Sequence, residues 1–224
     1  MPSEKKLEDH AISIIKILRT VTRTMPKPAA TQIVDQFGRN PYLILISCLL
    51  SLRTRDTVSL PASLRLFQVA QTPEEMVALP IHQIEKIIHT VGFYRHKSHT
   101  IHDISQTLIK KFASKVPSTE QELRSLKGVG PKTANLVLSE AFQVPAICVD
   151  THVHRISNRL GLVNTTTTEA TEKALKKILP KEYWSEWNHL LVMWGQNICV
   201  PISPFCSRCA ISDLCPKKGV MTSR

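Results

Sequence analysis

The sequence of 224 residues contains little glycine, few aromatic residues and no long hydrophobic run. Its seven glycines form no Gly/Ser-rich stretch, which excludes a flexible tether between lobes. The longest apolar run, residues 42–52, is interrupted by serine and falls well short of the roughly 20 residues that a membrane-spanning helix needs. The first nine residues, MPSEKKLED, lack the apolar stretch of a secretory signal, so we expect a reducing compartment.

Composition and charge indicate a folded protein that binds a polyanion. Apolar residues make up 42% and charged residues 21%, which excludes an intrinsically disordered chain. Twenty-nine lysines and arginines against eighteen aspartates and glutamates leave a net charge of +11. This balance favours a partner such as a nucleic acid, although a solubilising surface charge would account for it as well.

The hydrophobic pattern is helical along most of the chain. The fourteen prolines are expected between apolar-periodic segments rather than inside them. Residues 7–20 repeat apolar side chains every three or four positions, and residues 119–126 and 131–142 also indicate helices. Residues 42–52 are apolar apart from two serines, and their length and lack of a hairpin partner predict a buried helix. We therefore expect an all-α fold.

Several helix ends are marked by local signals. A hydroxyl residue followed three positions later by Glu or Gln satisfies free backbone N–H groups at a helix start, and this pattern predicts N-caps at Thr72, Ser118 and Thr166. Three tryptophans between residues 184 and 194 are predicted to lie in a core. Gly195 is expected to end the helix that carries them.

Four of the six cysteines lie within seventeen residues near the carboxyl terminus, spaced C-x6-C-x2-C-x5-C. In a reducing compartment, clustered thiols indicate a metal site rather than disulfides. A four-sulfur cage holds either zinc or an iron–sulfur cluster, and the single C-x2-C knuckle with outer spacings of six and five favours the cluster. The predicted ligands are Cys199, Cys206, Cys209 and Cys215.

A glycine-containing turn separates two of the predicted helices, in the sequence LKGVGPKTA at 126–134. Gly128 and Gly130 permit positive φ and a close approach of a ligand to the backbone, and Pro131 suits the first helical position. Free amides at the start of the second helix can bind a phosphate. An ordinary turn would show the same pattern.

Lys132 is a cation in the first turn of a helix, where the helix dipole already contributes positive charge. Departures from a local rule concentrate at functional sites. A positive environment, together with partial burial, would favour the unprotonated amine that a nucleophile requires. Lys132 is therefore a candidate nucleophile, with a phosphate-binding surface lysine as the alternative.

Asp150 follows an apolar segment and precedes Thr151 and His152, which predicts a helix N-cap. The same carboxylate could also stabilise a developing sugar cation or handle an amine proton if it lay near Lys132.

The residues LKGVGPKTANLVL at 126–138, VDTHVHR at 149–155 and the four-cysteine loop together resemble the endonuclease III family of the helix-hairpin-helix DNA glycosylase superfamily. The segments LLSLRTRD at 49–56 and VGFYRHK at 91–97 resemble further family segments, in the same order. The resemblance covers most of the chain.

The resemblance implies an all-α, two-lobed fold. A six-helix barrel lobe would span 34–144, and an iron–sulfur lobe with a 4Fe-4S cluster would combine 1–33 with 145–224. Double-stranded DNA carrying damaged pyrimidines or abasic sites would bind between the lobes. We expect the protein to be a monomer that does not associate with a membrane. We expect it in the cytoplasm, associated with the nucleoid if the source is prokaryotic.

The resemblance also implies a bifunctional enzyme that flips a damaged pyrimidine out of the duplex. Lys132 would attack C1′, displace the base and form a Schiff base that permits β-elimination, with Asp150 as the catalytic aspartate. A monofunctional mismatch glycosylase is disfavoured because Lys132 is present. The rival from another class is a non-catalytic DNA-binding or redox iron–sulfur module.

The family match assigns DNA contacts to the turn and to two further segments. Arg53 stands where family members often have a glutamine that fills the gap left by the flipped base, and Phe93 stands at a wedge position or belongs to the core. The loop 200–205 lacks the basic residues common in the family, with Arg208, Lys217 and Lys218 as nearby substitutes. The remaining expected DNA contacts are Gly128, Val129, Gly130, Thr133 and His152.

Overall fold

The computed structural model describes residues 3–224 and contains twelve α-helices, two short 3-10 helices and, within that range, no β-strand. This confirms the all-α prediction. The α-helices are α1 Glu4–Val21, α2 Ala29–Phe37, α3 Pro41–Ser51, α4 Asp56–Phe67, α5 Pro73–Ala78, α6 Ile81–Ile88, α7 Tyr94–Phe112, α8 Glu120–Ser125, α9 Pro131–Phe142, α10 Thr151–Arg159, α11 Thr168–Ile178 and α12 Trp184–Asn197. The 3-10 helices are Lys181–Tyr183 and Cys206–Arg208.

The chain divides into two compact units. One unit is Pro28–Val144, with α2 to α9, and the other combines Met1–Lys27 with Pro145–Arg224 and contains α1 and α10 to α12. The assignment of a barrel lobe to 34–144 and an iron–sulfur lobe to 1–33 with 145–224 stays a prediction.

The unit Pro28–Val144 is built around α3. Nine of the eleven residues of this helix are buried, which confirms the buried helix predicted at 42–52. Helices α2, α4, α7 and α9 pack against it. Asn40 starts α3 by accepting hydrogen bonds from the N–H groups of Tyr42 and Leu43, at 3.0 and 3.3 Å. Pro61 lies inside α4, contrary to the expectation that prolines would fall only between helices.

The other unit has its own hydrophobic core. The apolar face of α1 packs into it, as its spacing predicted, with Ile14, Ile15 and Leu18 inaccessible to solvent and Leu7 partly buried. Trp187 and Trp194 of α12 are buried in the same core, and Trp184 packs against it. The tryptophans therefore have the structural role expected of them.

The capping pattern located one of the three predicted N-caps correctly. Thr72 forms the capping box with Glu75. At the other two helices the cap is one residue later than predicted, at Thr119 instead of Ser118 and at Thr167 instead of Thr166. Thr119 also has a Glu three positions later, at Glu122, whereas Thr167 is followed at that spacing by Ala170, so the pattern with Glu or Gln does not by itself locate the cap.

No helix among residues 3–224 combines the length and the apolar character required to cross a bilayer.

Candidate functional site

The turn at 126–130 joins α8 to α9 in a helix-hairpin-helix arrangement. Gly128 has φ +81°, and a Cβ placed there would lie 3.0 Å from Cγ2 of Thr100 on α7. Gly130 has φ −89° and no atom within 4 Å of an added Cβ. The expectation that both glycines exploit positive φ is therefore wrong for Gly130, because only Gly128 carries the reversal of the turn.

Two other residues expected to bind DNA in this hairpin have buried side chains. Val129 is 6% exposed and Thr133 is 3% exposed. The N–H of Val129 donates to the carbonyl oxygen of Leu126 at 3.1 Å, so it is used within the turn. The side chains of Val129 and Thr133 therefore hold the hairpin together, and a ligand approaching it would meet mainly backbone.

We expect Gly128→Ala to destabilise the protein by about 1–2 kcal/mol, because an L residue is strained at positive φ. The added methyl would also press on Thr100. Gly130→Ala is the matched control, since its φ is negative and its surroundings are open, and it should shift stability by less than about 0.5 kcal/mol. Urea unfolding of both variants measures the difference, and equal shifts would contradict this account of the turn.

Lys132 lies in the first turn of α9, two residues after the N-cap Gly130. That turn contains no acidic residue, so no carboxylate of the same turn offsets the positive end of the helix dipole. The side chain is exposed, which corrects the expectation of partial burial.

Asp150 is the N-cap of α10, as predicted. Its Oδ1 accepts hydrogen bonds from the N–H groups of His152 and Val153, both at 2.8 Å. Asp150 is half-buried at the positive end of that helix, where a carboxylate is stabilised. It belongs to the unit of residues 145–224, whereas Lys132 belongs to the unit of residues 28–144.

Helix α10 makes a close contact with α12 at Gly195. A Cβ at Gly195 would clash with Nδ1 of His152 and lie 3.0 Å from Nη2 of Arg155. The sequence predicted that Gly195 ends α12, and this prediction is wrong, because α12 continues to Asn197. Gly195 lies inside the helix and allows α10 and α12 to approach each other. His152, expected to contact DNA, has its ring at this junction, 3.1 Å from Nη2 of Arg155.

The cysteine loop is held to α10 by two arginines. Arg155 donates to the carbonyl oxygens of Cys199 at 2.8 Å and Gly195 at 3.2 Å, and burial lowers its pKa. Arg159 donates to Cys199 Sγ at 3.3 Å and to the carbonyl oxygens of Val200 and Pro201 at 2.8 and 2.7 Å. These contacts fix the start of the loop.

The four clustered cysteines line a common pocket together with Trp194 and several aliphatic side chains. None of them is in a disulfide. Burial raises the pKa of the Cys209 and Cys215 thiols. Among residues 3–224, no three His, Cys, Asp or Glu side chains converge closely enough to hold a single metal ion. The four predicted cysteine ligands thus line one pocket, but their side chains do not converge on the position of a single metal ion.

The uncharged loop 200–205 is flanked by cations from elsewhere. The guanidinium groups of Arg208 and Arg224 each lie 4.0 Å from the ring centroid of Phe205. Arg224 also donates from Nε to the carbonyl oxygen of Ser203 at 3.1 Å. Arg208 was named from the sequence as a substitute cation, and Arg224 was not.

Arg53 and Phe93, which are forty residues apart, lie side by side in the unit Pro28–Val144. The guanidinium of Arg53 is 5.9 Å from the ring centroid of Phe93. Phe93 is 64% exposed, so it does not belong to the core. Both residues have left-handed backbone conformations, with φ 52° and 58°. An exposed aromatic ring and an exposed cation thus form one small projection, which we call the Arg53–Phe93 wedge.

Comparison with known proteins assigns the chain to a family. A family model described as HhH-GPD superfamily base excision DNA repair protein matches residues 46–181. Endonuclease III of Thermotoga maritima is 45% identical over 196 residues, which cover 85% of this chain and 92% of that protein. The chain belongs to the endonuclease III family. Endonuclease III of Bacillus subtilis is 38% identical over 189 residues, 81% of this chain and 86% of that protein.

Solved structures of the endonuclease III family match the whole fold. A non-covalent endonuclease III–DNA complex has a TM-score of 0.83 and 34% identity, and covers 97% of both chains. A trapped endonuclease III–DNA covalent intermediate has a TM-score of 0.80 and 33% identity over the same shares. The family membership and the helical fold inferred from the sequence are confirmed, and the chain is a DNA glycosylase of base excision repair.

Sequence reasoning missed three residues of this endonuclease III homologue that organise its candidate site. Arg155 ends the VDTHVHR motif and Arg159 lies four residues beyond it. Their carbonyl acceptors at residues 195–201 are forty to forty-four positions away in the sequence. Lys97 closes the VGFYRHK motif and is buried. Burial lowers its pKa to about 8. No local pattern distinguishes such residues from surface cations.

Substitutions at Asp150 are expected to separate its cap role from its charge. Asp150→Asn retains an oxygen acceptor for the N–H groups of His152 and Val153, so the free energy of unfolding should change by less than about 0.5 kcal/mol. Base excision should fall on the order of 10²- to 10⁴-fold, because the carboxylate charge is lost. Asp150→Ala should lose both activity and about 1 kcal/mol of stability. Full activity in the asparagine variant would leave Asp150 as a cap only.

Proposed function

We propose that this endonuclease III homologue is a bifunctional DNA glycosylase and abasic-site lyase that removes oxidised pyrimidines from duplex DNA. The observation that carries the proposal is Lys132, an amine in the first turn of α9 directly after the glycine turn. A primary amine of the protein that displaces a base leaves the enzyme itself bonded to the sugar and can go on to form an imine, whereas water leaves only a hydroxyl group at C1′. A related solved structure is that of a trapped endonuclease III–DNA covalent intermediate, which supports a covalent route.

In the proposed reaction, unprotonated Lys132 attacks C1′ of the flipped nucleotide. The new C1′–N bond forms as the glycosidic bond breaks, and one of the two amine protons is transferred, through the carboxylate proposed below, to the departing base. When the sugar ring opens, the second amine proton is transferred to O4′, which completes the Schiff base. A proton then leaves C2′, the bond from C3′ to the 3′ phosphate oxygen breaks, and water hydrolyses the imine to release Lys132.

Asp150 would supply negative charge where the sugar becomes cationic. Electrostatic groups held in place before the reaction stabilise a transition state without reorganisation. The two N–H groups that hold Asp150 keep its carboxylate fixed, which supports this role. We further propose that Asp150 accepts the amine proton that Lys132 must lose.

The hairpin would bind a phosphate through backbone amides. Amides in the first turn of a helix have no acceptor in the helix itself, and the dipole favours an anion there. The net charge of +11 would strengthen binding to duplex DNA and make it sensitive to salt. The Arg53–Phe93 wedge would enter the space left by the extruded nucleotide.

We propose that Cys199, Cys206, Cys209 and Cys215 hold a 4Fe-4S cluster. Four thiols around one pocket fit a cluster, because each thiolate binds a different iron atom and they need not converge as around zinc. The buried Nε1 of Trp194, on the same pocket, interacts with the Cys209 thiol and would suit a sulfur acceptor. When bound, the cluster would cross-link the loop and could exchange an electron.

We also propose that the protein works as a monomer, in the reducing cytoplasm or at the nucleoid of a prokaryote. The absence of disulfides among the six cysteines, all within the described chain, agrees with a reducing compartment.

The proposal is tested by borohydride trapping on duplexes that carry thymine glycol or an abasic site. Borohydride reduces the imine to a stable amine, so a covalent protein–DNA adduct is expected with both substrates and none with the undamaged duplex. Base release with no adduct would indicate a monofunctional glycosylase. DNA binding with neither product would indicate a non-catalytic module.

A further inference from the structure

Lys97 is a buried cation that the proposed chemistry does not use. It lies in the first turns of α7, four residues after Phe93, and is 7% exposed. Its Nζ donates to the carbonyl oxygens of Leu50 at 2.8 Å and Leu52 at 2.6 Å, and to Oγ1 of Thr54 at 3.1 Å. The three donors of an ammonium group thus have three protein acceptors.

These acceptors all lie at the end of α3 and in the loop that follows it. The carbonyl end of a helix carries partial negative charge, so the cation is stabilised there by a helix terminus. Burial lowers the pKa of Lys97, and no carboxylate contributes to that shift. A buried charge that relies on carbonyl and hydroxyl oxygens is tolerated only where its geometry is well fixed.

The loop that Lys97 holds carries Arg53, between Leu52 and Thr54. Arg53 is exposed and has φ 52°, a conformation that is strained for an arginine. Hydrogen bonds on both sides of a strained residue are what allow the strain to persist. Lys97 therefore fixes the backbone from which the Arg53 side chain projects.

The same clamp fixes the segment that carries Phe93. The N–H of Gly92 donates to Oγ1 of Thr54 at 3.2 Å, so that one oxygen binds both Gly92 and Lys97. A Cβ at Gly92 would lie 3.2 Å from the carbonyl oxygen of Arg53, which shows how closely the two loops approach. Phe93 follows at φ 58° as the N-cap of α7.

We propose that Lys97 is a positioning residue that locks Arg53 and Phe93 into a single rigid wedge for extruding the damaged nucleotide. The inference rests on the proposed glycosylase function and adds to it a residue that touches neither DNA nor the reacting atoms. Rigidity matters here because a flexible wedge would lose conformational entropy each time it entered the duplex.

The test compares two substrates in the same duplex sequence. Excision of thymine glycol requires a base to be unpaired and unstacked, whereas trapping at a ready-made abasic site does not. Lys97→Met keeps the length of the side chain and removes its donors. We expect a fall of roughly 10- to 100-fold in thymine glycol excision under single-turnover conditions. Trapping at the abasic site should change by no more than about threefold.

A spectroscopic signal reports the wedge directly. A 2-aminopurine opposite the lesion should brighten when native protein opens the pair, and this rise should be lost in Lys97→Met. The matched control is Lys110→Met, an exposed lysine on the same helix, which should retain the rise. In a chain that already carries Arg53→Ala and Phe93→Ala, adding Lys97→Met should have little further effect, because coupled residues are non-additive.

Several outcomes would overturn the inference. They are an unchanged 2-aminopurine signal, equal losses on both substrates, or a full additional loss in the wedge-deleted chain. If Lys97→Met does not fold, Thr54→Val removes the shared hydroxyl, and it should reproduce the selective loss in weaker form; an unaffected Thr54→Val would then count against the clamp. Absence of adducts from native protein on both substrates would instead refute the proposed function.

Discussion

Lys132→Ala is expected to abolish the borohydride-trapped adduct on both thymine glycol and abasic duplexes. Removing the amine removes the atom that bonds to C1′, so strand cleavage by β-elimination should fall on the order of 10³-fold or more. The exposed position of Lys132 makes a large loss of stability unexpected. Denaturing gels of trapped complexes and single-turnover cleavage measure the two effects.

Lys127→Ala is the matched control for the loss of charge. Lys127 belongs to the same hairpin, is exposed, and pairs with Asp103 at 2.8 Å. Its removal lowers the positive charge by the same amount, so DNA binding should weaken while the adduct still forms. An adduct that persists in Lys132→Ala, or that disappears equally in Lys127→Ala, would show that Lys132 is not the nucleophile.

Cys206→Ser is expected to remove the visible absorbance of an iron–sulfur cluster and to lower the melting temperature. A group that binds only the folded state at 1,000 times its dissociation constant contributes about 4 kcal/mol. For a chain of this size, losing that contribution corresponds to roughly 10 °C. Residues 199–215 include no α-helix, only the 3-10 turn Cys206–Arg208, so the proposed cluster would supply much of the stability of this segment.

Cys148→Ala provides the control for the loss of a thiol. Cys148 is 2% exposed and belongs to the same unit as the four clustered cysteines, but it does not line the pocket that they share. Its replacement should leave the visible absorbance unchanged and should lower the free energy of unfolding only modestly, as expected when a small buried side chain is shortened. Metal analysis that finds zinc in a colourless native protein would refute the cluster assignment.

Local sequence patterns determined most of the helices and the family. The segment 131–142 is helical over the residues predicted, and the apolar spacing of 7–20 identified the buried face of α1. Such elements depend on a period of 3.6 residues and on side-chain volume, which are properties of neighbouring positions. The role of Asp150 as an N-cap was predictable for the same reason, because its acceptor oxygen serves amides two and three residues away.

Register within local patterns was less predictable. Caps at Thr119 and Thr167 lie one residue beyond the predicted hydroxyls, and Gly195 lies inside a helix that it was expected to end. The capping energy differs little between adjacent hydroxyl residues. At Gly195 packing outweighs the local signal, because the neighbouring helix α10 leaves no room for a side chain.

The sequence by itself determined the helical class, the cysteine set, the hairpin with Lys132 and the membership of the endonuclease III family. Only the tertiary structure decided that Phe93 is exposed, that Arg53 lies beside it, and that Lys97 holds the two loops together. The physical reason is the distance in sequence between the residues that interact. A period or a spacing records contacts along one element, whereas a buried cation finds its acceptors forty or more residues away, and only the folded chain brings them within hydrogen-bond distance.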